Sequence, residues 1–144
     1  MKDEFQQKIP TRYLRLQATS SDDLKVLSAL LQDSIVPIAD ILYTPSQKQV
    51  IMVLQRFRWE LMKNAKTEGK PIGYQRCLCG LVIDKVEYMQ TRRIDLNDRS
   101  RFLNFLTFCK SGQRLDLQFS ASKTIRLGVN SLKITAKDIG EGWP

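Results

Sequence analysis

Polar and apolar residues alternate over residues 11–18, where Tyr13, Leu14 and Leu16 sit among Thr, Arg and Gln. That period of two predicts a strand. Ser20-Ser21-Asp22-Asp23 follows, and Ser20 with Asp23 three residues on has the form of a capping box, its carboxylates suited to the positive end of a helix. Leu24, Leu27, Leu30 and Leu31 then recur at helical spacing, which predicts a helix over about residues 21–33. Residues 35–43 are rich in β-branched side chains and carry Pro37, so a strand is expected there, at a sheet edge or bulged near the proline. Val50 to Leu54 are apolar on both faces, which points to a strand in the middle of the sheet. Residues 62–73 are polar, hold two glycines and a proline, and are expected to form a surface loop.

The second half repeats the mixture. Residues 74–94 predict one long strand or a bent pair, with Gly80 as the place for a bulge. Phe102, Phe105, Leu106 and Cys109 fit a helical period ended by Gly112, although Phe, Thr, Asn and Cys are mediocre helix formers and the later part fits a strand as well. Leu115, Leu117 and Phe119 alternate with polar residues, as do Ile125, Leu127 and Val129, and the pattern continues through Leu132, Ile134 and Ala136. Three short antiparallel strands are expected in that stretch. The run Asp40-Ile-Leu-Tyr-Thr-Pro-Ser also resembles Asp116-Leu-Gln-Phe-Ser-Ala-Ser. The offset of about 75 residues lays Leu27 to Leu31 over Phe102 to Leu106 and suggests a duplicated β-α-β-β unit with halves 11–61 and 74–139, its second helix starting near Asp98. The fold class expected is α+β: a mostly antiparallel sheet of seven to nine strands with one or two helices, forming a single domain over residues 11–143 behind a flexible segment 1–10.

Composition narrows the setting. The 144 residues are 42% hydrophobic and 26% charged, enough apolar material for a real core. The longest apolar run, residues 77–83, falls far short of the roughly 18 residues a membrane helix needs. Residues 1–10 lack the apolar centre of a secretory signal, and three cysteines do not make a disulfide framework, so a cytoplasmic protein away from membranes is expected. The net charge is +8. Its excess lies in the middle of the chain, where eleven basic residues face six acidic ones over residues 51–101. A solvated basic surface accounts for it, and an anionic partner, nucleic acid above all, is the sharper alternative.

Candidate chemistry is sparse. The chain contains no histidine, which removes the usual general base, the Ser-His and Cys-His nucleophile systems and the commonest zinc ligand. Cys77 and Cys79 share one strand face, but only Cys109 remains to join them, so buried core cysteines are expected, with no metal. No phosphate-cradling glycine loop is present and no cofactor is expected. Arg56-Phe57-Arg58-Trp59-Glu60 places both arginines on one strand face and both aromatics on the other. The plain reading buries the aromatic face and pairs the charged face with Glu60 or Asp84; the sharper one has the arginines grip an anion. Arg56, Arg58, Arg92, Arg93, Arg99 and Arg101 are the candidate anion-binding residues, and no residue set nominates a catalytic role.

Three stretches resemble one family. They are Asp23-Leu-Lys-Val-Leu-Ser-Ala-Leu-Leu-Gln-Asp33, the Arg56–Glu60 segment, and Ile125-Arg-Leu-Gly-Val with Asp138-Ile-Gly and Trp143 near the end. Together they resemble the domain of unknown function family 2948, a group of short alphaproteobacterial proteins. The resemblance spans roughly residues 11–143 and implies a bacterial cytosolic protein of uncharacterised role, with no catalytic residues to carry over. The function expected is that of a non-enzymatic binding or regulatory module working with a protein partner or a second copy, a homodimer being the commonest assembly. Polyanion binding is the alternative, and a histidine-free enzyme the third reading.

Overall fold

The computed structural model describes residues 14–58 and 76–141. Its order is β1 (Arg15–Ala18), α1 (Ser21–Leu31), β2 (Ile35–Pro37), β3 (Ile41–Thr44), β4 (Gln49–Phe57), β5 (Arg76–Ile83), β6 (Val86–Arg92), β7 (Phe102–Ser111), β8 (Arg114–Phe119), β9 (Lys123–Val129) and β10 (Ile134–Glu141). The ten strands form one open antiparallel sheet in the order β1-β10-β5-β4-β2-β7-β8-β9-β6, with β3 paired to the first half of β4. Among the described residues α1 is the one α-helix, and no helix is long and apolar enough to cross a membrane. The α+β class and antiparallel pairing are as expected, and the strand count exceeds the seven to nine read from the sequence.

The helix follows its signals closely. The Ser20 side chain caps it by accepting from the Asp23 amide at 3.1 Å, while the Asp23 carboxylate accepts from the Thr19 amide at 3.0 Å. That second bond lowers the Asp23 pKa. α1 stops at Leu31, two residues short of the expectation, because Gln32 turns extended and Asp33 adopts a left-handed φ of 65°. Its apolar face, Leu24, Leu27 and Leu31, packs on the inner face of the sheet.

That inner face collects one core from both halves of the sheet. Val50, Met52 and Leu54 of β4, Leu81 and Ile83 of β5, and Ile134 and Ala136 of β10 join Phe105 of β7, Leu117 of β8 and Leu127 of β9 in a single buried cluster. The sheet must therefore fold over on itself to enclose them. Two connections carry the chain between the halves, and they are tied together where the Asp84 backbone amide donates to the Lys133 carbonyl and the Asn130 amide to that of Lys85.

Several local expectations are revised. Residues 35–43 are not one strand: Pro37 ends β2, a 3-10 turn spans Ile38–Asp40, and β3 resumes at Ile41. β2 is also interior, lying between β4 and β7, so the missing Pro37 amide is accommodated by ending the strand rather than by an edge. Gly80 sits in regular register with both neighbours, and the bulge falls in β10 between Asp138 and Gly140. Residues 102–111, where a helix period was read, form β7, and turns occupy residues 95–100 where the second helix was placed. The cause is a bulge between Phe105 and Thr107. It shifts the buried set to Leu103, Phe105 and Phe108, so a strand acquires a spacing of two and then three that imitates a helix.

Candidate interaction surfaces

Alternation fixes which β4 side chains point outward. With Val50, Met52, Leu54 and Arg56 inside, Ile51, Val53, Gln55 and Phe57 take the opposite face. Register aligns Ile51 with Val82 and with Leu42, Val53 with Gly80, and Gln55 with Leu78. Ile139, thrown outward at the β10 bulge, lies over Gly80, its Cγ2 3.8 Å from where a Cβ would stand. Leu42 is 57% exposed and Ile139 54%. None of Leu42, Ile51, Val53, Leu78, Val82 or Ile139 belongs to the core cluster or packs against it. They make a continuous apolar outer face across β10, β5, β4 and β3. Its β1–β10 margin carries Arg15 opposite Lys137, and exposed Asp40 precedes β3 at the other margin.

Arg56 of β4 and Arg58 just beyond the strand are buried, reversing the expectation for the Arg56–Glu60 segment. Arg56 is 0% exposed and Arg58 7%, whereas Phe57 is half-buried on the outer face beneath the Arg76 guanidinium, 4.3 Å from its ring centre. Arg56 forms a two-pronged pair with Asp138, Nε to Oδ1 and Nη2 to Oδ2 both at 2.8 Å. The Leu14 amide donates to the same carboxylate at 2.6 Å. Burial pushes the Asp138 pKa up, but the bonds from Arg56 and Leu14 outweigh it and hold the carboxyl below its usual value. Asp84, the other partner read from the sequence, instead accepts from Gln49 at 2.9 Å, and Glu60 lies outside the described residues. The Arg56–Asp138 pair ties β4 to β10 across β5.

Cys77 and Cys79 are buried beside that pair. Burial first, then the neighbouring Asp138, pushes each thiol up to about 12, so both stay protonated and poorly nucleophilic. Cys109 is exposed on β7. Among the described residues no three Cys, Asp or Glu side chains gather as a metal site.

Of the remaining candidate arginines, Arg93 and Arg101 line one cleft of about 280 Å³ with Lys123, Asp95 and Asp98, while Arg92 and Arg99 stand apart from it. Arg99 donates to the Ala39 carbonyl at 2.8 Å and Arg101 pairs with Asp98 at 3.1 Å, both at the surface. Arg93 is exposed at a left-handed φ of 62° where the chain leaves β6. Arg92 stands on β6 in a second, polar outer face formed by β6, β9 and β8. There Gln90 lies opposite Arg126, and Arg92 opposite Thr124. Arg126 pairs with Asp116 through two bonds of 2.9 and 3.0 Å, and hydrogen bonding to that carboxylate raises its pKa. Tyr88 covers Gly128 so closely that a Cβ there would fall 2.0 Å from the ring. Tyr88, Arg114 and Arg126 were not singled out in the sequence, although the alternation of β8 and β9 already set Arg114, Asp116 and Arg126 on the polar side.

No curated protein and no solved structure matches the chain. The model of one family, described as protein of unknown function (DUF2948), matches residues 14–144. The chain belongs to that family, as its helix, its Arg56–Glu60 segment and its C-terminal pattern had suggested.

Proposed function

We propose that this protein is a non-enzymatic interaction module that works as a homodimer, packing the outer face of β10, β5, β4 and β3 against the same face of a second copy. One observation carries the reading: six apolar side chains outside the core, Leu42 and Ile139 exposed and the other four half-buried, line the outer face of the sheet. Contiguous apolar patches beyond a few hundred Å² are rare on monomers and mark association surfaces. Four strands about 4.8 Å apart, each contributing roughly 17 Å, give about 330 Å² per copy in projection. Accessible area exceeds projected area, so two such faces approach the roughly 1,000 Å² at which a specific interface begins.

A flat sheet face is matched best by another flat sheet face, stacked about 10 Å away. Charge favours the same occupant. Arg15 and Lys137 lie at one margin of the patch and Asp40 at the other. A two-fold axis near Val53 that runs along the strands brings the basic margin of one copy toward the acidic margin of its partner.

Light scattering coupled to size-exclusion chromatography tests this. The expected result is a mass twice that of one chain for the wild type. Val53→Lys, on the outer face and away from the core, should give a single-chain mass with an unchanged circular dichroism spectrum. A wild type that stays at one chain's mass at high micromolar concentration, or a Val53→Lys variant that stays dimeric, overturns the proposal.

A further inference from the structure

We infer that the polar outer face of β6, β9 and β8 binds a nucleotide, with an aromatic base laid on Tyr88 and phosphate held by Arg126 and Arg92. This site is separate from the apolar face and does not depend on dimerisation.

The stacking surface comes from a glycine. Tyr88 pairs with Gly128 across β6 and β9, and any side chain at position 128 would collide with its ring. The ring therefore rests directly on the β9 backbone with one face down. Tyr88 is 42% exposed, which leaves an aromatic surface for a second ring. Base-on-aromatic stacking of this kind tolerates any base.

The phosphate contacts stand one step along the strand. Gln90 follows Tyr88 by two residues on the same face, so its row lies roughly 7 Å away. In that row Gln90 faces Arg126, and in the next Arg92 faces Thr124. These four side chains line a shallow cleft of about 180 Å³. Arg126 is held in orientation by Asp116, which takes two of its N–H groups and leaves others for a ligand. Arg92 is exposed and makes no ion pair among the described residues. Gln90 and Thr124 add neutral donors. In the row of the ring itself, Arg114 of β8 lies in register with Gly128.

Cations thus stand on two adjacent flanks of one stacking ring. The nearby carboxylates are already engaged, Asp116 by Arg126 and Glu87 by Lys48 and Asn130. Base and phosphate at this spacing occur in a free mononucleotide and in a single strand alike, and the flanking arginine suits the strand.

Fluorescence anisotropy with labelled oligothymidylate, competed by AMP and by duplex DNA over a salt series, tests the site. The wild type should bind the single strand with a log–log salt slope of about −2, from roughly −0.7 for each of three phosphate contacts. Arg92→Ala should flatten the slope by about 0.7. Tyr88→Leu should weaken binding by about 5- to 100-fold with the slope unchanged. Gly128→Ala keeps every charge and the tyrosine but unseats the ring, and should lose about as much. Thermal melts of each variant separate this from unfolding. AMP binding without strand binding, if lost in Tyr88→Leu, assigns the same site to a free nucleotide. Binding neither, or binding single strand and duplex alike with no effect of Tyr88→Leu, overturns the inference.

Discussion

Asp138→Asn isolates the energetics of the buried end of the sheet. The substitution keeps the shape of the side chain and removes the Asp138 charge that pairs with the Arg56 guanidinium, which is 0% exposed. Breaking a buried pair by neutralising one partner costs about 3–5 kcal/mol, because the surviving charge stays desolvated. Against a total stability of about 5–15 kcal/mol, that is a large fraction. At about 3–4 °C per kcal/mol for a chain of this size, the melting midpoint should fall by roughly 10–20 °C. Urea melts of Asp138→Leu, Arg56→Met and the double replacement Arg56→Met/Asp138→Leu close the cycle beside Asp138→Asn. The double variant should recover most of the loss, since an apolar pair of similar volume bears no desolvation cost.

The pH dependence has a definite sign. The folded-state pKa of Asp138 is lowered, so its contribution is fully present above the unfolded value of about 4. It is lost as pH falls below that value through the folded one. Asp138→Asn should therefore flatten the acid limb of the stability curve. A loss below about 1 kcal/mol at neutral pH, the scale of an exposed pair, would refute the reasoning by showing that water reaches Arg56.

Further outcomes follow from the same geometry. Ellman's reagent at mildly alkaline pH should modify Cys109 at once and Cys77 and Cys79 only after denaturant is added; immediate reaction of all three thiols would contradict the buried pair. Because burial raises both buried thiols to about 12, the folded state retains protons that the unfolded chain releases from about pH 9 upward. Stability should therefore decline above pH 9, less steeply in Cys79→Val, as followed by chemical denaturation across that range. Ser20→Ala removes the cap of α1 and should cost about 1 kcal/mol in a urea melt, with Ser20→Asp restoring it.

The elements that were legible in the sequence are those whose signals are local. Ser20, Asp23 and the leucines of α1 specify a helix start and a buried stripe without help from the rest of the chain, and both appear as read. The alternation of β8 and β9 likewise fixes which side chains face water, because one face of each strand is plainly polar. The family pattern, too, is a property of the sequence.

What the sequence left open are the places where local signals cancel or depend on distant partners. Val50 to Leu54 are apolar at every position, so the stretch has no visible phase; only the partner strands decide that Val50, Met52 and Leu54 face inward. That phase carries through to Arg56 and Arg58 and buries them, and Asp138, 82 residues away, makes the burial of Arg56 tolerable. The bulge in β7 changes the strand's phase mid-course, so a period reads as helical that tertiary pairing makes extended. Composition, capping and polar alternation determined the class of fold, the helix and the outward faces of β8 and β9. Register, bulges and the pairing of residues far apart in the chain decided which arginines are interior, which apolar face stays open, and that Tyr88 meets Gly128, since each depends on a partner strand that no local window contains.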